Sequence, residues 1–568
     1  MTFSMTMEQT ESTTAALTSL PTELLLFVFS FLDDTSLVEL GNTCRFLNTE
    51  ALTAFLKRTG HFKFGDERRP EQRLSYSADL SPDILTALRC AIFAKSITQI
   101  TYRIPGTTLQ RVVQDMHDIR RIVERQPKVM GVSLFMWQVD NKIKQSGGRS
   151  FSQGYPITLE KWSKIACEAF TAIINKGCES LDLQSGARLV DPLLFQEQNC
   201  PIISTPSSQE SPVTIQASER SRTRKILSKI AAPFTVKKKS KSITEPTSVS
   251  TDTPRPVEQL RLKSSLREAQ LRSDMLFSPT FIYWTTSLLH ASSSTLTTLT
   301  IECKTTPVHT WHVLLRSVHL TRLRFLKIKV SELLVERTLD IAPDDLIHFL
   351  SCHLNIEEAT LYGLTPGTPS DHLRGLRMPA LRSFVAHPCY VTWLLNLPAV
   401  QLPRLDRVIA STEYYTRQPF NHTLLDFALE ALAANPRRIV FGVRFKIFEG
   451  MSDWMNARSN GPNEGNHVVH RLTTIERLEV ALSWYMEFDE ELLNILAMFV
   501  NAFPSASEIT LTELNIDVQV WDADKLKEFF GARCARVRTL KVNDMPMVHI
   551  QGDGPPLSRS AAPQPSSC

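Results

Sequence analysis

The sequence predicts a mixed α/β protein: three short helices near the N-terminus, then an irregular stack of strand–helix units broken by one long disordered insertion. Three features predict this class. A densely apolar run from Leu20 to Leu56 is punctuated twice by helix breakers. A spelling of leucine, two residues, leucine, one residue, isoleucine returns along the rest of the chain. Between 195 and 263 the composition shifts to Ser, Thr, Pro, Lys and Arg.

The first helix opens at Pro21, whose missing N–H is not needed in a first turn. Glu23 suits the positive end of the helix dipole. Leu24, Leu25, Val28, Phe29 and Leu32 recur at three- and four-residue steps and form an apolar stripe. Leu26, Phe27 and Phe31 fall on other faces, so the helix is greasy nearly all round and must be covered on several sides. Asp33-Asp34-Thr35 ends it and offers caps for a second helix carrying Leu37 and Leu40. Gly41-Asn42-Thr43 is a second break, and Thr43 is the expected cap of a third helix bearing Phe46, Leu47, Ala51, Phe55 and Leu56. So short a module has surplus apolar surface, which predicts a docking unit.

The ordered run Leu20-Pro21-x-Glu23-Leu24-Leu25, Val28-Phe29-Ser30-Phe31-Leu32-Asp33, Ser36-Leu37, Leu40 and Thr43-Cys44-Arg45-x-Leu47-Asn48 resembles an F-box. The resemblance covers residues 19–62. It implies a three-helix module that binds the Skp-type adaptor of a cullin–RING ubiquitin ligase. Leu20, Pro21, Leu24, Leu25, Val28, Leu32 and Leu37 occupy the positions that the resemblance assigns to the adaptor. Many F-boxes carry a tryptophan near the third helix, where this chain has Cys44-Arg45.

With 568 residues, 42% of them hydrophobic, the chain can bury a large core. A net charge of +4 gives no global field pointing to nucleic acid. Ten cysteines are scattered without a Cys-x-x-Cys pair, so reduced thiols are expected. Met1–Ser19 has neither a basic start nor a long apolar run, and Leu24–Leu32 is too short for a bilayer. A soluble protein of the cytoplasm or nucleus is expected, with no membrane partner.

After a polar connector (63–80) a first stack runs over 81–194. Ser81-Pro82-Asp83 starts a helix with Ile84, Leu85 and Leu88. Ile97–Tyr102 reads as a strand, Leu109–Arg125 as a helix, Val129–Phe135 as a strand and Leu159–Asn175 as a helix capped by Lys176-Gly177. Cys178–Leu183 is the next strand. A second stack runs over 264–550. Leu296–Ile301 and Leu323–Ile328 share the spelling, Ile356–Leu361, Leu381–Ala386 and Leu405–Ala410 are related pieces, and Ile475–Val480 and Val537–Val542 restore it. Helices are predicted at Trp311–Leu320, Asp344–Leu354, Leu424–Ala434, Glu490–Ala502 and Asp522–Cys534. Several units recur at roughly 24 to 33 residues, near the period of leucine-rich solenoids. One strand and one helix cannot cover their own apolar sides, and stacking buries the leucines behind a parallel sheet. Thr298, Thr300, Lys327 and Lys329 then face the other side. This resembles the divergent leucine-rich-repeat region of fungal F-box proteins, without an asparagine ladder.

The insertion, 195–263, holds Arg220-Ser221-Arg222-Thr223-Arg224-Lys225 and Lys237-Lys238-Lys239-Ser240-Lys241. Its low apolar content cannot offset ordering entropy, so disorder is expected. A solvated linker is the favoured reading, and a nuclear-import address or phosphate-binding patch the other. A Pro- and Ser-rich tail (551–568) and the N-terminus (1–18) are also expected to be disordered.

No phosphate loop, dinucleotide fingerprint, zinc helix or nucleophile elbow occurs. Asp344, Asp345, His348 and His353 read as helix-start acids and neutral histidines rather than ligands. Asp522 and Asp524 suit a helix N-terminus. Trp284, Trp311, Trp393, Trp454, Trp484 and Trp521 read as core, with partner anchors as the alternative. No catalytic, cofactor or metal site is expected. The implied function is a substrate receptor of an SCF-type ligase, with an unknown protein target on the repeats. The alternative is a nucleic-acid or chromatin-binding protein acting through the basic insertion, which should then bind in a salt-sensitive way.

Overall fold

The recurrent leucine spelling builds one sheet. In the computed structural model the described residues are 20–59, 62–63, 72–75, 83–91, 97–146, 151, 157–191, 262–304, 306–330, 339–365, 367, 370, 377–412, 422–445, 450–459, 468–482, 489–516, 521–543 and 545–550. The chain divides into two units, Met1–Gln196 with Leu262–Cys568, and Glu197–Arg261. The second unit lies wholly outside the described residues, and with it both basic runs. The N-terminus to residue 19 and the tail from 551 lie outside them as well, as do most of the connector and Trp484.

The strands are β1 Phe62–Lys63, β2 Gln72–Ser75, β3 Ile97–Arg103, β4 Gly131–Phe135, β5 Ser180–Gln184, β6 Glu268–Arg272, β7 Thr298–Cys303 and β8 Phe325–Val330. They continue as β9 Glu358–Tyr362, β10 Ser383–Ala386, β11 Arg407–Ser411, β12 Val440–Phe445, β13 Arg477–Leu482, β14 Glu508–Thr512, β15 Thr539–Val542 and β16 Val548–His549. All sixteen join one sheet in the order of the chain. From β2 to β15 each strand runs parallel to the next, and only the outermost pairs are antiparallel.

The helices are α1 Thr22–Phe31, α2 Asp34–Gly41, α3 Arg45–Arg58, α4 Asp83–Cys90, α5 Leu109–Arg125, α6 Trp137–Ser146, α7 Leu159–Asn175 and α8 Ile282–Ala291. They continue as α9 Val308–Ser317, α10 Pro343–Cys352, α11 Pro388–Leu395, α12 His422–Ala434, α13 Met451–Ser459, α14 Glu490–Asn501 and α15 Ala523–Arg533. No helix among the described residues is long and apolar enough to cross a membrane.

Alternation along each strand decides which side chains enter the core. Leu299, Ile301 and Cys303 of β7 and Leu326, Ile328 and Val330 of β8 are buried with the helices. Thr298, Thr300, Lys327 and Lys329 lie between them on the opposite face, which is only partly covered. Helix α5 shows the other half of a unit. Thr108 caps it by accepting from the Arg111 N–H at 3.2 Å, and Leu109, Val112, Val113, Met116, Ile119, Ile122 and Val123 are buried. Its Asp115 is buried beside Arg111 (2.9 Å) and accepts from the Tyr102 hydroxyl at 3.1 Å. Burial dominates these partners and pushes its carboxyl up to about 7.

The structure shifts the expected strands. Those predicted from Leu296, Leu323, Ile356, Leu381, Leu405, Ile475 and Val537 begin two residues later. The first apolar residue of the spelling sits in the turn before the strand and is buried there, as Leu296, Leu323 and Ile475 are at 0% exposure. Strands β1, β6, β12, β14 and β16, and helices α6, α8, α11 and α13, are not among the elements the sequence predicts. Strand β2 lies inside the stretch expected as connector and pairs with β3 through Leu74 and Ile100. The cap of α3 is Cys44, not Thr43; the Thr43 hydroxyl is turned back to donate to the Leu40 carbonyl at 2.7 Å.

Candidate docking surface

Helix α1 starts from Pro21, whose carbonyl accepts the N–H groups of Leu24 and Leu25 at 3.0 and 3.1 Å. It ends at Leu32, and Asp33 then caps α2 by accepting the Ser36 N–H at 2.7 Å. The Ser36 hydrogen bond holds the Asp33 carboxyl below the usual carboxylate range. Helix α3 clamps this corner: the Arg58 guanidinium donates to the carbonyls of Leu32 (2.6 Å) and Phe29 (2.7 Å) and lies 3.4 Å from Asp34. The Leu32 carbonyl lies just past the end of α1, and the Phe29 carbonyl accepts the Leu32 N–H at 3.2 Å as well as Arg58. A Cβ on Gly41 would sit 2.6 Å from Leu52, so glycine is what lets α2 lie against α3. Buried Asn48 of α3 donates to the carbonyls of Gly41 (2.9 Å) and Cys90 (3.1 Å), tying the helical module to α4.

The apolar residues of α1 divide between two sides. Leu25 and Phe29 face inward at 0% and 1% exposure, packed with Leu37, Leu47, Ala51, Leu52, Phe55 and Leu56. Leu24, Phe27 and Phe31, at steps of three and four, stand in solvent at 51%, 63% and 74%. The Phe27 and Phe31 rings meet edge to face with centroids 4.9 Å apart, which fixes both on this side. Leu26 and, on α3, Phe46 are also exposed.

Among the residues assigned to the adaptor, Pro21 and Leu24 are exposed, while Leu20, Val28 and Leu32 are half-buried beside the exposed face. Leu25 and Leu37 are fully buried in the chain's own core. Phe27 and Phe31, the most exposed aromatic rings among the described residues, fall on other faces of the predicted stripe and are not among the residues that the resemblance assigns to the adaptor. Their three- and four-residue steps from Leu24 were the available signal.

A second surface is the sheet face opposite the core. Val385 and Ile409 are nearly covered on it, though they alternate with the core residues Phe384, Ala386, Val408 and Ala410. Arg407 forms a two-pronged pair with Glu479 at 2.9 and 2.6 Å, reaching past β12. A Cβ on Gly442 would lie 2.8 Å from Ile409 and 3.2 Å from Glu479, so a bare backbone there lets these side chains approach. Arg444 of β12 pairs with Glu513 at 2.8 Å and lies 4.9 Å from the Tyr362 ring of β9.

The other residues singled out in the sequence take structural places. Asp344 accepts from the N–H and hydroxyl of Ser370, at 2.8 and 2.6 Å. Asp345 pairs with His312 (2.8 Å) and Arg316 (2.7 Å) of α9. His353 accepts the Leu320 N–H at 2.8 Å, and burial lowers its pKa to about 4. Asp522 caps α15, and Asp524 lies in its first turn. Trp284, Trp311, Trp393 and Trp454 are buried, and Trp521 packs partly covered against the core.

No curated protein matches the chain. The three helices do have a counterpart: residues 17–62 match the family model for the F-box-like domain, so the chain carries an F-box-like domain at its N-terminal end.

Proposed function

We propose that this protein is the substrate receptor of an SCF-type cullin–RING ubiquitin ligase. The observation that carries the reading is the uncovered row Leu24, Phe27 and Phe31 on the first helix of an F-box-like domain. An F-box-like domain implies a Skp-type adaptor as partner, and through it the cullin–RING ligase. An apolar row of this kind is what a partner covers. The strand–helix units form a leucine-rich-repeat-like solenoid, a reading supported by their sequential parallel strands and the buried leucine spelling. The target lies on the sheet face that carries Arg407, Glu479, Arg444 and Tyr362. Work of this sort belongs to the cytoplasm or nucleus.

The chain makes and breaks no bond in this reading. It raises the local concentration of target lysines near a charged conjugating enzyme. Half-buried Cys167 and buried Cys178 and Cys303 support a non-catalytic role: desolvation pushes Cys167 and Cys178 up to about 12 and Cys303 well above its ordinary value. None of these is a thiolate at neutral pH.

The test is capture of a purified Skp-type adaptor by the full chain and by its Phe27→Asp/Phe31→Asp variant. Both positions are exposed, so the variant keeps its circular dichroism while adaptor capture is lost. Full capture by a folded variant would refute the assignment.

A further inference from the structure

We infer that a cationic groove between the F-box-like helices and the first strand–helix units is a docking site for an acidic peptide segment of a partner protein. The groove has a volume of about 1020 Å³ and is lined by Arg45, Arg89, Cys90, Arg125, Gln126, Pro127 and Lys176. Four of these seven residues are cations and none is a carboxylate. The whole chain carries only +4, so this charge is local rather than a share of a global field.

Helix capping accounts for part of the charge. Arg89 and Arg125 lie in the last turns of α4 and α5, where cations suit the dipole. Arg125 also donates to the carbonyls of Arg89 and Ala91, and Arg89 lies 3.3 Å from Asp118. Arg45 has no such explanation. It is the first residue of α3, the end at which the dipole disfavours a cation. Among the described residues neither its guanidinium nor the Lys176 ammonium has an ion-pair partner. Two cations that no described carboxylate pairs therefore line the groove, and the two tied arginines add to its potential.

The dimensions and chemistry select the occupant. A volume at the top of the range of about 300–1,000 Å³ for small-ligand pockets suits a peptide segment better than a lone ion. Glutamate or aspartate carboxylates and phosphoserine all match the forked donors of arginine. No aromatic ring is among the described residues that line the groove, so they offer no stacking platform of the kind single-stranded nucleic acid uses. The walls come from α3, α4, α5 and α7, and Asn48 fixes α3 to the end of α4, so the groove is preformed. None of the groove's lining residues belongs to the Leu24, Phe27 and Phe31 row.

Fluorescence anisotropy of the full chain with three labelled probes tests this: hexaglutamate, a peptide with two phosphoserines, and oligo-dT of twelve nucleotides. Arg45→Glu/Lys176→Glu weakens binding of both peptides at least tenfold while circular dichroism and the thermal transition are unchanged. The phosphopeptide arm reports whether phosphate or clustered carboxylates bind more tightly. Replacing Lys237, Lys238 and Lys239 by serine leaves the effect of the groove substitutions in place, which separates the groove from the basic insertion. Failure of both peptides to bind, unchanged peptide binding by the folded double variant, or oligo-dT binding that is tighter and equally sensitive to the groove substitutions would each overturn the inference.

Discussion

The two sides of α1 should respond oppositely to truncation, and Leu25→Ala against Phe31→Ala is the sharpest comparison. Leu25 has 0% exposure and touches the core of the helical module, whereas Phe31 is 74% exposed. Removing a buried leucine to alanine costs about 2–5 kcal/mol, because the neighbours only partly close the cavity. Removing a side chain in solvent changes stability by within about 0.5 kcal/mol. For adaptor affinity the order reverses. Covering a phenylalanine completely is worth about 1.5–3 kcal/mol, and roughly three-quarters of that side chain remains to be covered, so Phe31→Ala should lose about 1–2 kcal/mol, or 5- to 30-fold in Kd. Hydrogen exchange of α1–α3 amides in the full chain reads the first effect, and titration calorimetry with the adaptor reads the second. Leu25→Ala should accelerate exchange throughout the module. Phe31→Ala should leave exchange alone and weaken binding. Unchanged affinity in Phe31→Ala, or unchanged protection in Leu25→Ala, would refute this division of the helix.

Two further predictions concern the strand–helix units. Gly363, after β9, has φ +67°, and a Cβ there would lie 2.3 Å from Val330 Cγ1, so Gly363→Ala should destabilise by more than about 1 kcal/mol, read by urea denaturation. Burial lowers both His353 and His387 to about 4, below the ordinary 6.5. The unfolded chain then binds more protons than the folded one between about pH 6.5 and 4, so stability falls as pH drops through that window, by about 3 kcal/mol per histidine at pH 4. Asp115 works in the opposite direction: with its carboxyl raised to about 7, the folded state gains protons relative to the unfolded one as pH falls from 7 toward 4. The difference between wild type and His353→Gln isolates one histidine: the variant's urea midpoint should depend less steeply on pH from 6.5 to 4, and parallel curves would contradict it.

The leucine spelling made most of the sheet legible, because stacking rewards the same apolar positions in each unit. It failed where those positions hold other residues. In β6 the sequence is Leu266-x-x-Ala269-x-Leu271 and in β14 Ala506-x-x-Ile509-x-Leu511, each with a small alanine at one of the three buried positions, a spelling weak enough to be missed although the related Ile356-x-x-Ala359-x-Leu361 is legible. In β12, Arg438 stands where Leu405 stands in β11, and it is exposed and paired with Glu476 at 2.9 Å. The two-residue displacement of the strands has one cause: the first leucine packs under the turn, a place that alternation cannot distinguish from a strand. On α1 the limit is different. Apolar residues on three faces do not reveal which face meets α3, so periodicity alone could not separate Leu25 from Leu24. That choice is made by Leu52, Phe55 and Leu56, thirty residues away in the chain.

The same remote contacts set how a bound adaptor would be presented. Arg58 holds the end of α1 through two carbonyls, Gly41 lets α2 lie on Leu52, and Asn48 joins α3 to the Cys90 carbonyl at the end of α4. Asn48 is 7% exposed, and its amide answers two carbonyls that would otherwise lack that donor. Helix α4 packs in turn on α5, whose strand neighbours β3 and β4 belong to the continuous sheet. A partner seated on Leu24, Phe27 and Phe31 is thus connected to the sheet, whose open face is the proposed target surface, through hydrogen-bonded, packed elements. On the proposed receptor function, in which other subunits perform the chemistry, fixed geometry matters as much as affinity, since misplacement of reacting groups by about 1 Å can cost on the order of a hundredfold in rate. Replacing Asn48 by leucine would keep the apolar row intact and remove both carbonyl bonds. It separates orientation from docking: adaptor affinity should persist while ubiquitin transfer to a bound target declines.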